Sequence, residues 1–126
     1  MIPTHFTALL KDGRTIETDD LTLINKMAGD DIQTCTVENK FFAAVLSPLS
    51  LKLDRKPSDI IYSAKNGFVA KKPYLSMRVL HQITIPATTE RQSISYELGW
   101  VSADGTPGYK ILISEEGEVK SMEGLS

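Results

Sequence analysis

Between Ser93 and Lys120 the chain alternates apolar and polar residues through three short runs, and few architectures accept such a stretch. Ile94, Tyr96, Leu98 and Trp100 alternate with Ser93, Ser95, Glu97 and Gly99, the period-two pattern of a strand with one buried face. Asp104-Gly105-Thr106-Pro107-Gly108 predicts a reversal, because Gly takes positive φ without a Cβ clash and Pro stops the outgoing strand. Tyr109, Ile111 and Ile113 resume the alternation, Glu116-Gly117 turns the chain again, and Val119 begins a last strand. An antiparallel meander follows, and the rest of the chain must pack on it.

Upstream, Phe6 to Glu17 reads as a hairpin closed by Asp12-Gly13, both with positive φ in a type I′ turn. Thr18-Asp19-Asp20 supplies capping oxygens for a short helix over Leu21–Ala28, with Leu23, Ile24 and Met27 inward and Gly29 as its stop. Ile32 to Glu38 and Phe41 to Leu46 read as strands; the pattern leaves open which side of the first is buried. Leu49, Leu51 and Leu53 mark another strand, and Arg55 to Asp59 a polar connector. Ile60 to Ala70 admits a hairpin turning at Asn66-Gly67 or a two-turn helix. Leu75, Met77, Val79, His81, Ile83 and Ile85 define one face of a long strand, with Pro86 to Glu90 as its exit turn and Met122 to Ser126 fraying at the end. The fold class expected is α+β, mainly antiparallel hairpins and meander with one short helix, as a single domain over residues 1–126.

The 126 residues carry a net charge of −2, which argues against a general nucleic-acid binder. That total conceals a partition. Residues 1–39 hold three basic and seven acidic side chains, residues 40–91 nine and three, and residues 92–126 two and six. Such a basic middle is a solvated surface, a place for an anion or a charge match between subunits. No apolar run reaches the length of a membrane span. The start, Met1-Ile2-Pro3-Thr4-His5, lacks the basic region of a secretory signal, and lone Cys35 has no partner for an internal disulfide. The expected location is therefore the cytoplasm.

Tests for catalytic chemistry are negative. His5 and His81 are the two histidines; the first sits near the terminus and the second among apolar neighbours, where a packed histidine is the ordinary outcome. With Cys35 they form no local metal-ligand pair, and the acidic doublets Asp19-Asp20 and Asp30-Asp31 are explained by helix ends. No phosphate-cradling glycine loop is present. The expectation is a protein without enzymatic activity, cofactor or metal. What remains is binding: guanidinium forks match phosphate oxygens, and aromatic faces stack on bases. The candidate ligand-binding residues are Arg55, Lys56, Phe68, Tyr74, Arg78 and Arg91, with Tyr62 and Trp100 nearby in sequence pattern; for Phe68, Tyr62 and Trp100 taken singly, a place in the core is the ordinary outcome.

The opening Pro3-Thr4-His5-Phe6 with Leu9-Leu10-Lys11-Asp12-Gly13 resembles small phage accessory proteins, as does the closing Gly99-Trp100-Val101, Asp104-Gly105 and Gly108-Tyr109-Lys110-Ile111. In size and β-rich layout the chain is similar to the anti-Thoeris signal-sequestering family. That resemblance implies a cytoplasmic homo-oligomer that binds a phosphorylated cyclic nucleotide, such as a cyclic ADP-ribose isomer, and releases it unaltered. It assigns no residue. The alternatives are an inhibitor that contacts a host defence protein directly through the acidic ends, and a small virion structural protein.

Overall fold

A computed structural model describes residues 3–27, 31–54, 60–65, 68, 72–84 and 91–126, with residues 82–84, 91 and 92 described in backbone only. The element order is β1 (Thr4–Leu10), β2 (Thr15–Thr18), α1 (Leu21–Met27), β3 (Ile32–Asn39), β4 (Ala43–Leu46), β5 (Ser50–Leu53), β6 (Ile60–Ser63), β7 (Tyr74–Thr84), β8 (Arg91–Val101), β9 (Pro107–Ser114) and β10 (Val119–Glu123). Two antiparallel sheets result, one ordered β2-β1-β3-β4-β5-β6 and the other β10-β9-β8-β7. The strand-dominated antiparallel architecture with one short helix is the one the alternation predicted. Among the described residues no helix is long and apolar enough to cross a membrane.

Both sheets contribute to a single core. Phe6, Ala8 and Leu10 of β1, Ala44 and Leu46 of β4, and Leu51 and Leu53 of β5 meet Leu75 and Met77 of β7, Tyr96, Leu98 and Trp100 of β8, and Tyr109, Ile111 and Ile113 of β9. Each set repeats every second residue, so each strand turns one face inward. The β3 pattern left undecided resolves by a bulge. Leu9 pairs with Thr34 but Leu10 pairs with Ile32; Gln33 is the extra residue, and the slip puts Ile32 on the same buried side as Cys35 and Val37. Between the sheets, the Phe42 and Tyr96 rings meet edge to face at 5.5 Å between centroids.

The meander turns share one geometry. In Leu10–Arg14, Ser102–Thr106 and Ser114–Glu118 the fourth residue is glycine, its amide donates to the first residue's carbonyl, and the first residue's amide donates to the fifth residue's carbonyl, at 2.8–2.9 Å throughout. Gly13, Gly105 and Gly117 have φ of 92°, 88° and 90°. This is a type I turn closed by a glycine bulge, and it corrects the type I′ expectation for Asp12-Gly13: Asp12 does not have positive φ. Asp12 Oδ1 instead accepts from the Arg14 amide at 3.0 Å, as Asp104 Oδ1 does from Thr106 at 2.9 Å. The second turn also ends sooner than expected. Pro107 and Gly108 belong to β9, where Pro107 lies across from Val101 and Gly108 is the extra residue of a bulge.

Other expectations need correction. In α1, Ile24 is buried and Met27 packs on the core, but Leu23 is 40% exposed; a seven-residue helix presents a narrow stripe inward. Asp20 is its cap, accepting from the Thr22 amide at 2.9 Å, while the expected stop at Gly29 lies outside the described residues. Leu49 stands in the β4–β5 turn at 61% exposure. Residues 60–63 are a strand, not a helix, and β6 pairs with β5; the proposed turn at Asn66-Gly67 lies outside the described residues, as does that at Pro86 to Glu90. His81 is exposed, since β7 runs on past the core there.

The chain end does not fray. Ala64 bridges to Leu125, Lys65 N donates to Gly124 O at 2.6 Å, and Ser126 N donates to Ser63 O at 2.8 Å. Leu125 packs against the core. The last three residues thus strap the β6 edge of one sheet to the β10 edge of the other. At the opposite seam α1 touches β1, β2 and β7, and Asn25 Nδ2 donates to Met77 O at 3.2 Å. The two seams are closed differently, and a cavity remains at the second.

Candidate functional site

Of the residues expected to hold a phosphorylated ligand, the structure describes Phe68, Tyr74 and Arg78 with their side chains and Arg91 in backbone only. Arg55 and Lys56 lie outside the described residues. Arg91 opens β8 opposite Thr84, far along the β7–β8 ribbon, with only its backbone described. Tyr74 and Arg78 share the outer face of β7 but stand four residues, roughly 13 Å, apart along a strand. Arg78 already has a partner: its Nε and Nη2 lie 3.0 and 2.8 Å from Glu97 Oε1 on the neighbouring strand. Phe68 packs against the core and covers Gly108 so closely that any Cβ there would enter its ring. Trp100 is fully buried, which removes its face from any stacking surface.

The seam beside α1 holds a cavity of about 230 Å³, lined by Pro3, Thr4 and Phe6 from the start of the chain and β1, Asp19 and Leu21 at the helix start, Val79 of β7 and Tyr96 of β8. Its position follows from the fold. α1 leaves the edge strand β2 and packs on β1, β2 and β7 across the seam, and seven helical residues are too few to fill it. Its walls are apolar, with two hydroxyls and one carboxylate. Thr4 Oγ1 and the Tyr96 hydroxyl are hydrogen-bonded at 3.0 Å, and Tyr96 is 3% exposed, so this pair marks the inner end. Asp19, with its side chain 81% exposed, stands at the mouth.

His5 holds that mouth. Nδ1 is 2.6 Å from Asp19 Oδ1 and Nε2 is 3.5 Å from Glu17 Oε1. With a carboxylate at each ring nitrogen, the hydrogen bond to Asp19 first and that to Glu17 second raise the imidazole above its ordinary pKa. The sequence reading set His5 aside as a terminal residue; it is instead part of β1, joined to the segment between β2 and α1. Even with His5 protonated, two carboxylates leave the group at one net negative charge, and among the described lining residues there is no cation.

This site was missed because its parts were each explained separately. Asp19 was read as a cap, a role that Asp20 performs, and Tyr96 as core, which it is. The usable signal was Tyr96 itself, an aromatic with a hydroxyl on an otherwise hydrocarbon face, since a buried phenol needs a polar partner.

Cys35 is not a nucleophile in waiting: it is fully buried, and desolvation pushes its thiol up to about 12. Among the described residues no group of three or more His, Cys, Asp or Glu side chains could hold a metal ion. No protein-family model, curated protein or solved structure matches the chain, so comparison identifies no family.

Proposed function

We propose that the chain is a non-catalytic binding protein that takes a small, largely apolar ligand in the cavity beside α1. The observation that carries this reading is the cavity's construction: hydrocarbon walls, a hydroxyl pair at the inner end and a carboxylate at the mouth. Concave, mostly apolar sites with a few convergent polar groups are the usual form of small-molecule sites. Among the described residues nothing beside it resembles an activated nucleophile, because the one histidine there has both ring nitrogens engaged by carboxylates.

A phosphorylated nucleotide, the ligand that the resemblance implies, has less support. At about 230 Å³ the cavity falls below the ~300–1,000 Å³ of sites for drug-sized ligands, and its mouth is negative. Sequestration as a mode of action is compatible with the proposal for any ligand, since it requires affinity and copy number alone.

Methyl NMR titration with toluene tests the site. The expected result is saturable shifts at Leu21 and Val79, abolished in Val79→Trp, with toluene recovered unaltered after denaturation. Shifts confined to other methyl groups, or none at all, would overturn the reading.

A further inference from the structure

We infer that the cavity selects a monocationic ligand, a primary ammonium group joined through a short arm to an aromatic or compact aliphatic body. The inference rests on the reading of the cavity as a binding site and adds the chemical class. Three observations support it. The first is charge. Asp19 is the charged group among the described lining residues, and the His5 contact does not use up its acceptors, because a carboxylate accepts at two oxygens and several lone pairs. His5 carries at most one positive charge against Asp19 and Glu17, so an incoming anion meets net repulsion and a cation net attraction whichever way His5 is protonated.

The second is the walls. Phe6 and Tyr96 are among the lining residues, and aromatic side chains suit the ring of the ligand in offset or edge-to-face contact. The third is size. A hydrocarbon-lined cavity of roughly 150 Å³ accepts a benzene ring, so about 230 Å³ accommodates one ring and a short arm. The mouth at Asp19 and the buried end at Tyr96 then orient the ligand, with the ring inward and the ammonium outward, where it keeps part of its hydration. Full burial of the ammonium would cost far more than one carboxylate returns.

Benzylammonium, benzyl alcohol and benzoate have nearly the same shape and differ in charge. Titrated against the Leu21 and Val79 methyl resonances at neutral pH, benzylammonium is expected to bind at least about tenfold more tightly than benzyl alcohol, as one charge-assisted hydrogen bond supplies, and benzoate not at all. In Asp19→Asn the preference for benzylammonium over benzyl alcohol should fall to within about twofold; Asp19 is exposed, and Asp20 caps the helix, so this variant keeps its fold. Benzoate or benzyl alcohol binding as tightly as benzylammonium, in a protein that still binds toluene, would overturn the ligand class and leave the cavity reading intact. Equal preference in wild type and Asp19→Asn would overturn the role of Asp19. Failure of toluene and all three probes would overturn both readings.

Discussion

The Tyr109 hydroxyl donates to the Ser47 carbonyl at 2.7 Å, a bond that runs from β9 of one sheet to the β4–β5 turn of the other. The phenol is buried, and burial with too little compensation pushes its pKa up, so it stays a neutral donor across the working pH range. Tyr109→Phe removes the donor and leaves a carbonyl short of a partner where water enters poorly. The expected cost is about 1–2 kcal/mol, read as a lower denaturant midpoint with an unchanged slope. An unchanged midpoint would show that the bond does not hold the sheets together.

The three glycine-bulge turns predict a contrast. At Gly13 and Gly105 a Cβ meets nothing within 4 Å, so alanine there pays only for positive φ, about 1–2 kcal/mol. Asparagine should recover part of that loss, since it tolerates the left-handed region. At Gly124, φ is 75° and a Cβ would strike the Gly108 carbonyl, so Gly124→Ala should cost more than either turn variant and asparagine should not help. Thermal unfolding of the alanine and asparagine variants at the three positions tests the ranking; equal losses from alanine at all three would refute the steric term.

Much of the architecture could be read from the chain because side-chain alternation and turn glycines are local signals. The Ile94, Tyr96, Leu98 and Trp100 row lies inward as its period required, and the turns at Gly13, Gly105 and Gly117 stand where those glycines placed them. What escaped was non-local. Nothing around Gln33 announces a bulge; that residue is displaced because both Ile32 and Cys35 must reach one core. Leu125 looked like a free end, and its burial depends on β6, some 60 positions earlier. The cavity escaped for the same reason. Basic residues adjacent in sequence drew attention to Arg78, whereas the cavity joins His5, Asp19, Val79 and Tyr96, which only the packing of two sheets and a helix unites.

The His5 contacts give stability a pH dependence of known sign. The folded-state pKa is raised above the ordinary value by Asp19 and Glu17, so the contribution is fully present below about 6.5, the unfolded value, and is lost as pH rises through the folded pKa. Wild type minus His5→Asn should therefore show a stability difference that shrinks with rising pH over that interval, followed by chemical denaturation at constant ionic strength. Asp12 and Asp104 act oppositely. Their pKa values are lowered, first by the amides of Arg14 and Thr106, so their contributions are present above the ordinary carboxylate range and lost as pH falls through the folded values. A His5→Asn difference that grows with pH would contradict the assigned contacts.

Deletion of residues 124–126 removes the strap between β6 and β10, including Leu125 and two backbone hydrogen bonds. Because Leu125 is only partly buried, the loss should be about 2 kcal/mol, near the low end for a leucine removed from a core. Amide exchange distinguishes a local strap from a general loss. Protection at Ala64 and Lys65 should fall more than protection at Ala8 or Cys35, on β1 and β3, which pair with neither β6 nor β10; uniform loss would mean that the chain end stabilises the whole molecule equally.

Arg78 was the most attractive phosphate ligand in the sequence, and its pairing with Glu97 makes a different prediction. The guanidinium is 61% exposed while the carboxylate is 17% exposed, so the arginine screens an acid that the sheet half-covers. For an exposed partner the coupling is small, about 0.5–1 kcal/mol, and a double-mutant cycle of Arg78→Ala with Glu97→Ala should return that value. Glu97→Ala alone should cost less than Arg78→Ala, because removing the acid leaves an arginine free in water, whereas removing the arginine leaves a half-buried carboxylate without its cation. Inorganic phosphate should not displace Glu97 from Arg78, since it brings no contact that the tethered carboxylate lacks and pays the entropy of association. A saturable phosphate-induced shift of the Arg78 Nε–H resonance, lost in Arg78→Lys, would restore that residue to an anion site.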